Sequence, residues 1–163
     1  MSDTDELLKA NAKFSASFDK GDLPMPPARP VVVVACMDAR LHPERFLGLE
    51  LGDAHVIRNA GGRADESALR SLIISQRLLG TREVLVIHHT DCGMLTFKDD
   101  DFKRQIQADT GIKPHWSAEA FDDLEEDVRQ SIQRVKSSPF IPNKDSIRGF
   151  VYDVKSGELN EVA

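Results

Sequence analysis

The apolar run at residues 31–35 constrains the fold more than any other part of the chain. It consists of four valines and an alanine, which is too continuously apolar for a strand with one face in water. Such a run is typical of a strand at the centre of a parallel sheet, where helices cover both faces. Residues 84–87 form a second run of this kind. Because the carboxyl ends of parallel strands meet at one edge of a sheet, we expect the side chains that follow the two runs to lie close together.

Strand and helix patterns alternate along the chain. Strands are predicted at 31–35, 55–57, 83–88 and 147–154 and helices at 43–48, 66–79 and 99–109, with a longer helix capped by Ser117 and a last strand at 159–162. Strand–helix–strand repeats are typical of right-handed parallel crossovers, and the last two strands of a terminal hairpin. We therefore predict an α/β fold with a central, mostly parallel β-sheet flanked by helices and a C-terminal β-hairpin.

The first thirty residues are predicted to form a separate arm. Residues 4–19 have the spacing of an amphipathic helix, with Leu7, Leu8, Phe14 and Phe18 roughly on one side. The segment 21–30 contains four prolines and cannot continue that helix. The chain is therefore divided into an arm at 1–30 and a single domain at 31–163. The apolar side of the arm requires a partner surface, either on its own domain or on a neighbouring subunit.

Both cysteines of the chain follow the two apolar runs. Cys36 comes directly after the first run, and His89 and Cys92 come after the second. Two thiolates and one imidazole are soft and borderline ligands, which select zinc over magnesium or calcium. Asp38 is the natural fourth group. His88 is expected to lie in the core, because adjacent strand residues point to opposite faces of a sheet.

These residues resemble those of a known family. The pattern Cys-x-Asp-x-Arg from Cys36 to Arg40, the segment Arg58-Asn59-Ala60-Gly61-Gly62, and His-x-x-Cys from His89 to Cys92 are together similar to the β-class carbonic anhydrases. The resemblance runs from about residue 31 to 97 and more loosely to the C-terminus. It implies one zinc ion per subunit, carbon dioxide and bicarbonate as substrates, and a homodimer or dimer of dimers in which the arm contacts the partner.

The resemblance also implies roles for single residues. Arg40 is expected to hold the Asp38 carboxylate away from the metal, which leaves the fourth position for water; released by Arg40, Asp38 can ligate zinc itself. Zinc-bound hydroxide then attacks carbon dioxide, with activity rising on the alkaline side of neutrality. Ala60, Gly61 and Gly62 are expected to border the substrate, while Arg58 and Asn59 brace the loop. His42, His55, His88 and His115 are open candidates for proton transfer.

Two other functions stay open. Better-known family members carry a glutamine before the first cysteine that donates to substrate, whereas this chain has Met25-Pro26-Pro27-Ala28 there. The change leaves room for a sulfur atom and favours, as an alternative, a hydrolase of carbonyl sulfide or carbon disulfide. The second alternative is a non-catalytic structural zinc module in which Asp38 stays bound. Arg40 argues against it, since a structural site gains little from a residue that pulls a ligand away.

Composition excludes several other classes of protein. The net charge of −6 and the absence of a clustered Lys/Arg stripe argue against nucleic acid as a partner. The sequence lacks an apolar run long enough to span a membrane. Residues 1–6 have neither a basic leader nor an apolar signal core. We therefore expect a cytoplasmic protein, in which two cysteines bind metal rather than form a disulfide.

Overall fold

A computed structural model describes residues 2–163; Met1, the first residue of the predicted arm, lies outside the described residues. Five strands form one sheet in the order β2-β1-β3-β4-β5. The first four are parallel, and β5 is antiparallel to β4.

The strands are β1 (Val31–Cys36), β2 (His55–Asn59), β3 (Glu83–His89), β4 (Ile147–Tyr152) and β5 (Leu159–Glu161). The helices are α1 (Asp3–Ala16), α2 (Pro43–Phe46), α3 (Glu66–Leu79), α4 (Asp99–Thr110) and α5 (Leu124–Ser137). The predicted fold class is confirmed, including the terminal hairpin.

The central position of β1 follows from its sequence. It pairs with β2 on one side and β3 on the other, and residues 32–36 are all buried. Alternate side chains enter two cores, so Val32 and Val34 face α3 and α5 while Val33 and Ala35 face the opposite side. A strand covered on both faces must be apolar at every position, which is what the valine run provides.

Helices α3 and α5 begin at side-chain caps. The Asp65 carboxylate accepts a hydrogen bond from the Ala68 amide at 2.7 Å, and α3 ends at Gly80, which adopts the left-handed conformation that favours glycine. Helix α5 begins after Asp123, whose side chain accepts from the Glu126 amide at 2.9 Å. These caps anchor the two helices that cover the face of the sheet beneath the site.

The prediction that Ser117 caps the last long helix is wrong. Residues 117–123 form a loop instead, because the Asp99 carboxylate binds their polar groups: it accepts from the Ser117 hydroxyl at 2.5 Å and from the amides of Glu119 and Ala120 at 2.9 and 2.8 Å. Glu119 adopts a φ of +60°, which no right-handed helix includes. The helix therefore starts at Leu124.

Helix α1 is present but lies open to solvent. Every residue of the helix is exposed, and the apolar side predicted from the sequence shows Leu7 at 70%, Leu8 at 63% and Phe14 at 60% exposure. Ser2 and Asp5 form a capping box at its start, which explains why the helix begins there without tertiary packing. Among residues 2–163, the structure contains no helix that is both long and apolar enough to cross a bilayer.

Candidate metal centre

The ends of β1 and β3 bring the three predicted metal-binding residues together. Cys36 is the last residue of β1 and His89 the last of β3, and these two strands are paired neighbours. Cys92 follows after a tight turn in which Asp91 takes a φ of +55°. The two sulfurs and a ring nitrogen of His89 all lie within 4.8 Å of one another, and all three residues are buried. The parallel topology therefore produces the cluster that the spacing predicted.

The hydrogen bonds of His89 leave one ring nitrogen for a metal. Its Nδ1 lies 2.8 Å from the carbonyl oxygen of Thr90, so this nitrogen carries the proton. Its Nε2 is buried and has no hydrogen-bond partner within residues 2–163. An orphaned buried nitrogen facing two free cysteines is the donor set of a zinc site with three protein ligands, which leaves one tetrahedral position for another ligand. The residues present fit zinc.

The two thiols strongly affect each other. The neighbouring Cys92 thiol lowers the pKa of Cys36, and the Cys36 sulfur in turn raises the pKa of Cys92. Burial lowers the pKa of His89, but the adjacent Cys36 thiolate more than offsets this, so the net direction is upward. The cluster thus favours one thiolate, and a bound divalent cation would displace the proton of the other thiol.

The glycine segment packs directly on the strand ends. The Gly61 amide donates a hydrogen bond to the Cys36 sulfur at 3.3 Å. Gly62 has a φ of +71°, and a Cβ there would lie 2.6 Å from the Ile87 carbonyl oxygen and 2.7 Å from the Cys36 nitrogen. Only glycine fits so close to two backbones. Ala60, by contrast, is exposed, so of the three residues predicted to border the substrate, Ala60 faces the open side and the glycines contact the metal cluster.

Asp38 and Arg40 form the predicted bidentate pair. Arg40 Nε donates to Asp38 Oδ1 at 3.0 Å and Nη2 to Oδ2 at 2.8 Å. The Arg40 guanidinium holds the pKa of the Asp38 carboxyl well below its usual range. Asp38 Oδ2 also lies 3.8 Å from His89 Nε2. The carboxylate is therefore held by Arg40 beside the nitrogen that faces the cluster.

Sequence reasoning missed Asp91. Its carboxylate Oδ2 accepts from Arg40 Nη1 at 2.7 Å, and its carbonyl oxygen accepts from Nη2 at 2.9 Å. Asp91 immediately precedes Cys92 but shares no spacing with Arg40 that would have paired them, since 51 positions separate the two in sequence. The one feature of the sequence that could have indicated a role for Asp91 is its charge at a position between His89 and Cys92.

Arg58 was predicted to brace the turn at residues 60–62, but it binds the loop after β1 instead. Its Nε donates to the carbonyl of Cys36 at 3.0 Å, and its Nη2 donates to those of Asp38 and Leu41 at 2.7 and 3.1 Å. Asn59 donates from its side chain to the Arg63 carbonyl at 2.8 Å. Both residues therefore hold backbone segments around the site.

The structure separates His88 from His89. His88 is fully buried, and its Nε2 lies 2.7 Å from Asp127 Oδ2 on α5. Arg63 Nη2 binds the other oxygen of that carboxylate at 2.7 Å. This confirms His88 as a core residue, and the buried Arg63 and Asp127 are partners that the sequence analysis missed. Of the other histidines, His42 and His115 are exposed, and His55 Nδ1 lies 2.7 Å from the Ser75 hydroxyl.

A pocket with a mainly apolar wall, on which Arg63, Asp65 and Glu119 also lie, includes residues that adjoin the cluster in sequence. Its volume is about 470 Å³, and its wall includes Met37, Ala60, Met94, Phe97 and Trp116. Two of these residues adjoin the cluster in sequence, since Met37 follows Cys36 and Met94 lies two positions after Cys92. A larger groove of about 970 Å³ runs along α3 and residues 134–140, on a different part of the molecule. The smaller pocket is the one that the site chemistry points to.

Comparison with known proteins identifies the family. A family profile described as carbonic anhydrase matches residues 31–159. The chain is 57% identical over 162 residues to beta-carbonic anhydrase 1 of Mycobacterium tuberculosis, covering 99% of each chain. The crystal structure of a carbonic anhydrase from Streptococcus mutans superposes with a TM-score of 0.93 at 44% identity, covering 100% of this chain and 99% of that one. A carbon disulfide hydrolase of Saccharolobus solfataricus is 30% identical, covering 96% of this chain and 87% of its own. With these matches and its Cys-His-Cys cluster, the chain belongs to the β-carbonic anhydrases, a family of zinc lyases.

Proposed function

We propose that this protein is a zinc-dependent carbonic anhydrase that interconverts carbon dioxide and bicarbonate. Zinc would be held by Cys36, His89 and Cys92. The observation that carries the proposal is the buried Cys-His-Cys cluster, whose ligand atoms lie within 4.8 Å of one another and in which the Nε2 of His89 has no hydrogen-bond partner within the described chain. When bound, zinc supplies a Lewis acid that makes hydroxide available near neutral pH. Two thiolates offset more of its charge than imidazoles do, so we expect activity to rise on the alkaline side of neutrality.

Asp38 and Arg40 act together as a gate in this proposal. Arg40 engages both carboxylate oxygens, so Asp38 is kept ionised and unable to donate a proton through its own carboxyl group. In this position the Asp38 carboxylate would accept a hydrogen bond from the attacking hydroxide, and so orient the hydroxide toward the substrate carbon. With zinc bound, Asp38 would be the residue able to close the site once Arg40 released it, because its Oδ2 lies 3.8 Å from His89 Nε2.

Binding of a small uncharged substrate is supported by the surroundings of the cluster. The nearby pocket is lined mainly by apolar side chains, including Met37, Phe97 and Trp116, which suits a neutral molecule. Ala60 lies on its wall, and Gly61 and Gly62 allow the backbone to approach the cluster closely. These three residues form the substrate border in the proposal.

A hydrolase of carbonyl sulfide or carbon disulfide is the second candidate. Two features favour it: the segment 25–28 lacks a glutamine, and relatives named carbon disulfide hydrolase match 96% of the chain at 30–32% identity. The identity to a carbonic anhydrase is higher, at 57%, so carbon dioxide hydration is the preferred function. A purely structural zinc module is the third, and the Arg40 grip on Asp38 argues against it.

Assembly and location complete the proposal. An exposed helix with Leu7, Leu8 and Phe14 outward is stabilised most simply by a second copy of the chain, so we propose a homodimer, or a dimer of dimers, in which residues 1–30 contact the partner domain. We propose a cytoplasmic location, with carbon dioxide and bicarbonate rather than nucleic acid or a membrane as the partners.

The substrate is tested by a side-by-side assay. Protein of verified zinc content is given carbon dioxide, carbonyl sulfide and carbon disulfide in turn, with pH change and hydrogen sulfide release as the signals. We expect hydration to exceed sulfide release by orders of magnitude. If hydrogen sulfide release is the dominant activity, the protein is the hydrolase instead. If zinc-loaded protein shows neither activity, the structural zinc module is the remaining candidate.

A further inference from the structure

Every nitrogen of the Arg40 guanidinium group has a partner. Nε and Nη2 bind the two oxygens of Asp38. Nη1 binds Asp91 Oδ2 at 2.7 Å, and Nη2 also donates to the Asp91 carbonyl at 2.9 Å. The loop after β1 and the loop after β3 are therefore joined through one planar cation. The second loop follows His89 directly and carries Cys92.

The backbone of Asp91 is in an uncommon conformation that serves this contact. Its φ of +55° lies in the left-handed region, which non-glycine residues enter at a cost and aspartate more readily than most. In this conformation both the carboxylate and the carbonyl of the same residue face Arg40. Such strain persists only where the surrounding structure over-determines it, and it is concentrated at functional sites.

We propose that Asp91 is a positioning residue that fixes the guanidinium group of Arg40, so that its Nε and Nη2 edge faces Asp38. This inference rests on the proposed function, in which the Arg40–Asp38 pair is the gate. It extends the gate to a third residue, on the short loop that joins His89 to Cys92.

The contact with Asp91 matters because the Arg40–Asp38 ion pair is exposed to solvent. The side chain of Arg40 is 47% exposed, and an isolated surface ion pair contributes little because a long side chain has many competing rotamers. A second carboxylate and a carbonyl on the far edge remove most of that freedom, because the planar fork can satisfy all four acceptors in only one orientation.

Asp91 also has a role when Asp38 is released by Arg40. If Asp38 leaves Arg40 to occupy the metal, Arg40 keeps its contacts to Asp91 and does not become an unpaired cation. The Nε and Nη2 edge of Arg40 stays in place, so Asp38 can return to these two donors. Without Asp91 the guanidinium is free to turn away, so both holding and recapture of Asp38 are weakened.

Two substitutions at one position test the proposal. Asp91→Gly removes the side chain and accepts the positive φ without strain, whereas Asp91→Asn keeps a neutral acceptor oxygen and also tolerates that φ. Glu161→Gln is the matched control, because it weakens another exposed pair, with Arg148, on the terminal hairpin. Zinc content is measured first for each protein.

The first readout is the hydrogen exchange rate of the Arg40 Nε–H, observed by NMR in zinc-loaded protein without substrate. The second is the separation of kcat from KM. In Asp91→Gly we expect exchange about fivefold faster and kcat several-fold lower at unchanged zinc content, with Asp91→Asn between this variant and wild type. Glu161→Gln should match wild type in both.

Unchanged Nε–H exchange in Asp91→Gly would overturn the proposal, since Arg40 would then be held without Asp91. Loss of zinc in step with activity would also overturn it, because Asp91 would then serve the metal-binding loop rather than the gate. If wild-type protein shows no hydration, the proposed function fails, yet the exchange rate measured without substrate still decides the role of Asp91.

Discussion

His88 Nε2 lies 2.7 Å from Asp127 Oδ2, while the adjacent His89 has its Nε2 buried without a hydrogen-bond partner in residues 2–163. Two neighbouring histidines on one strand thus have opposite surroundings. His88 faces helix α5 on the core side of the sheet, and His89 faces the two cysteines. The alternation of side chains along a strand is enough to give adjacent identical residues different chemistry.

The same substitution at both histidines should have different effects on zinc. His89→Gln should lose most of the bound zinc, because it removes the imidazole nitrogen that faces the sulfurs. His88→Gln keeps a donor for Asp127 and should retain about one zinc per chain, the stoichiometry of a three-ligand site. Metal analysis of the two purified proteins checks this. Equal zinc loss in both would mean that His88 also supports the metal directly.

Gly62→Ala should destabilise the fold more than a comparable change elsewhere. The new Cβ would lie 2.6 Å from the Ile87 carbonyl oxygen at a φ of +71°, so strain and backbone overlap add to about 3 kcal/mol or more. Gly80→Ala is the control, because Gly80 has a φ of +78° with nothing within 4 Å of the added atom; strain alone should cost it about 1–2 kcal/mol. Chemical denaturation gives both values, and equal losses would refute the close-packing interpretation.

The fold and the metal cluster were predictable because both depend on local patterns. The valine run at 31–35 specified a central strand, and the motifs around Cys36 and Cys92 each follow a strand end. The Ser117 cap was wrong because Asp99, which binds that loop, lies 18 positions away in sequence, and a local cap pattern contains no information about such a partner. Asp91 and Asp127 were missed for the same reason. No local pattern marks either residue, and only the tertiary structure places an arginine beside each.

Asp99 should make the loop at 117–120 sensitive to acid. Hydrogen bonds from Ser117, Ala120 and Glu119 outweigh the effect of burial and lower the pKa of Asp99 from its usual 3.8. A lowered folded-state pKa stabilises the protein above pH 4 and ceases to do so as the pH falls through the folded value. Asp99→Ala should therefore cost about 2 kcal/mol at pH 7, and the difference from wild type should shrink in acid. A difference that stayed constant between pH 7 and pH 3 would contradict this.

Charged residues on the apolar side of α1 should weaken self-association. Phe14→Glu introduces a charge where the proposed dimer contact buries an aromatic ring that is 60% exposed in the single chain. We expect a shift toward monomer in sedimentation velocity at micromolar concentration. Ile112→Glu, at a residue 74% exposed outside the arm, should leave the sedimentation profile unchanged. A Phe14→Glu protein that sediments like wild type would exclude the arm from the interface.

The most direct test of the central claim is stopped-flow carbon dioxide hydration at about pH 8.5, a pH chosen above the value of about 7 for water on a three-imidazole zinc site. Wild-type protein and Asp38→Ala are compared at matched zinc content. We predict fast hydration by the wild type, a rate that increases from pH 7 to 8.5, and loss of most of the activity in Asp38→Ala with zinc retained. Slow hydration by zinc-loaded wild type, or an Asp38→Ala variant as fast as wild type, would contradict it.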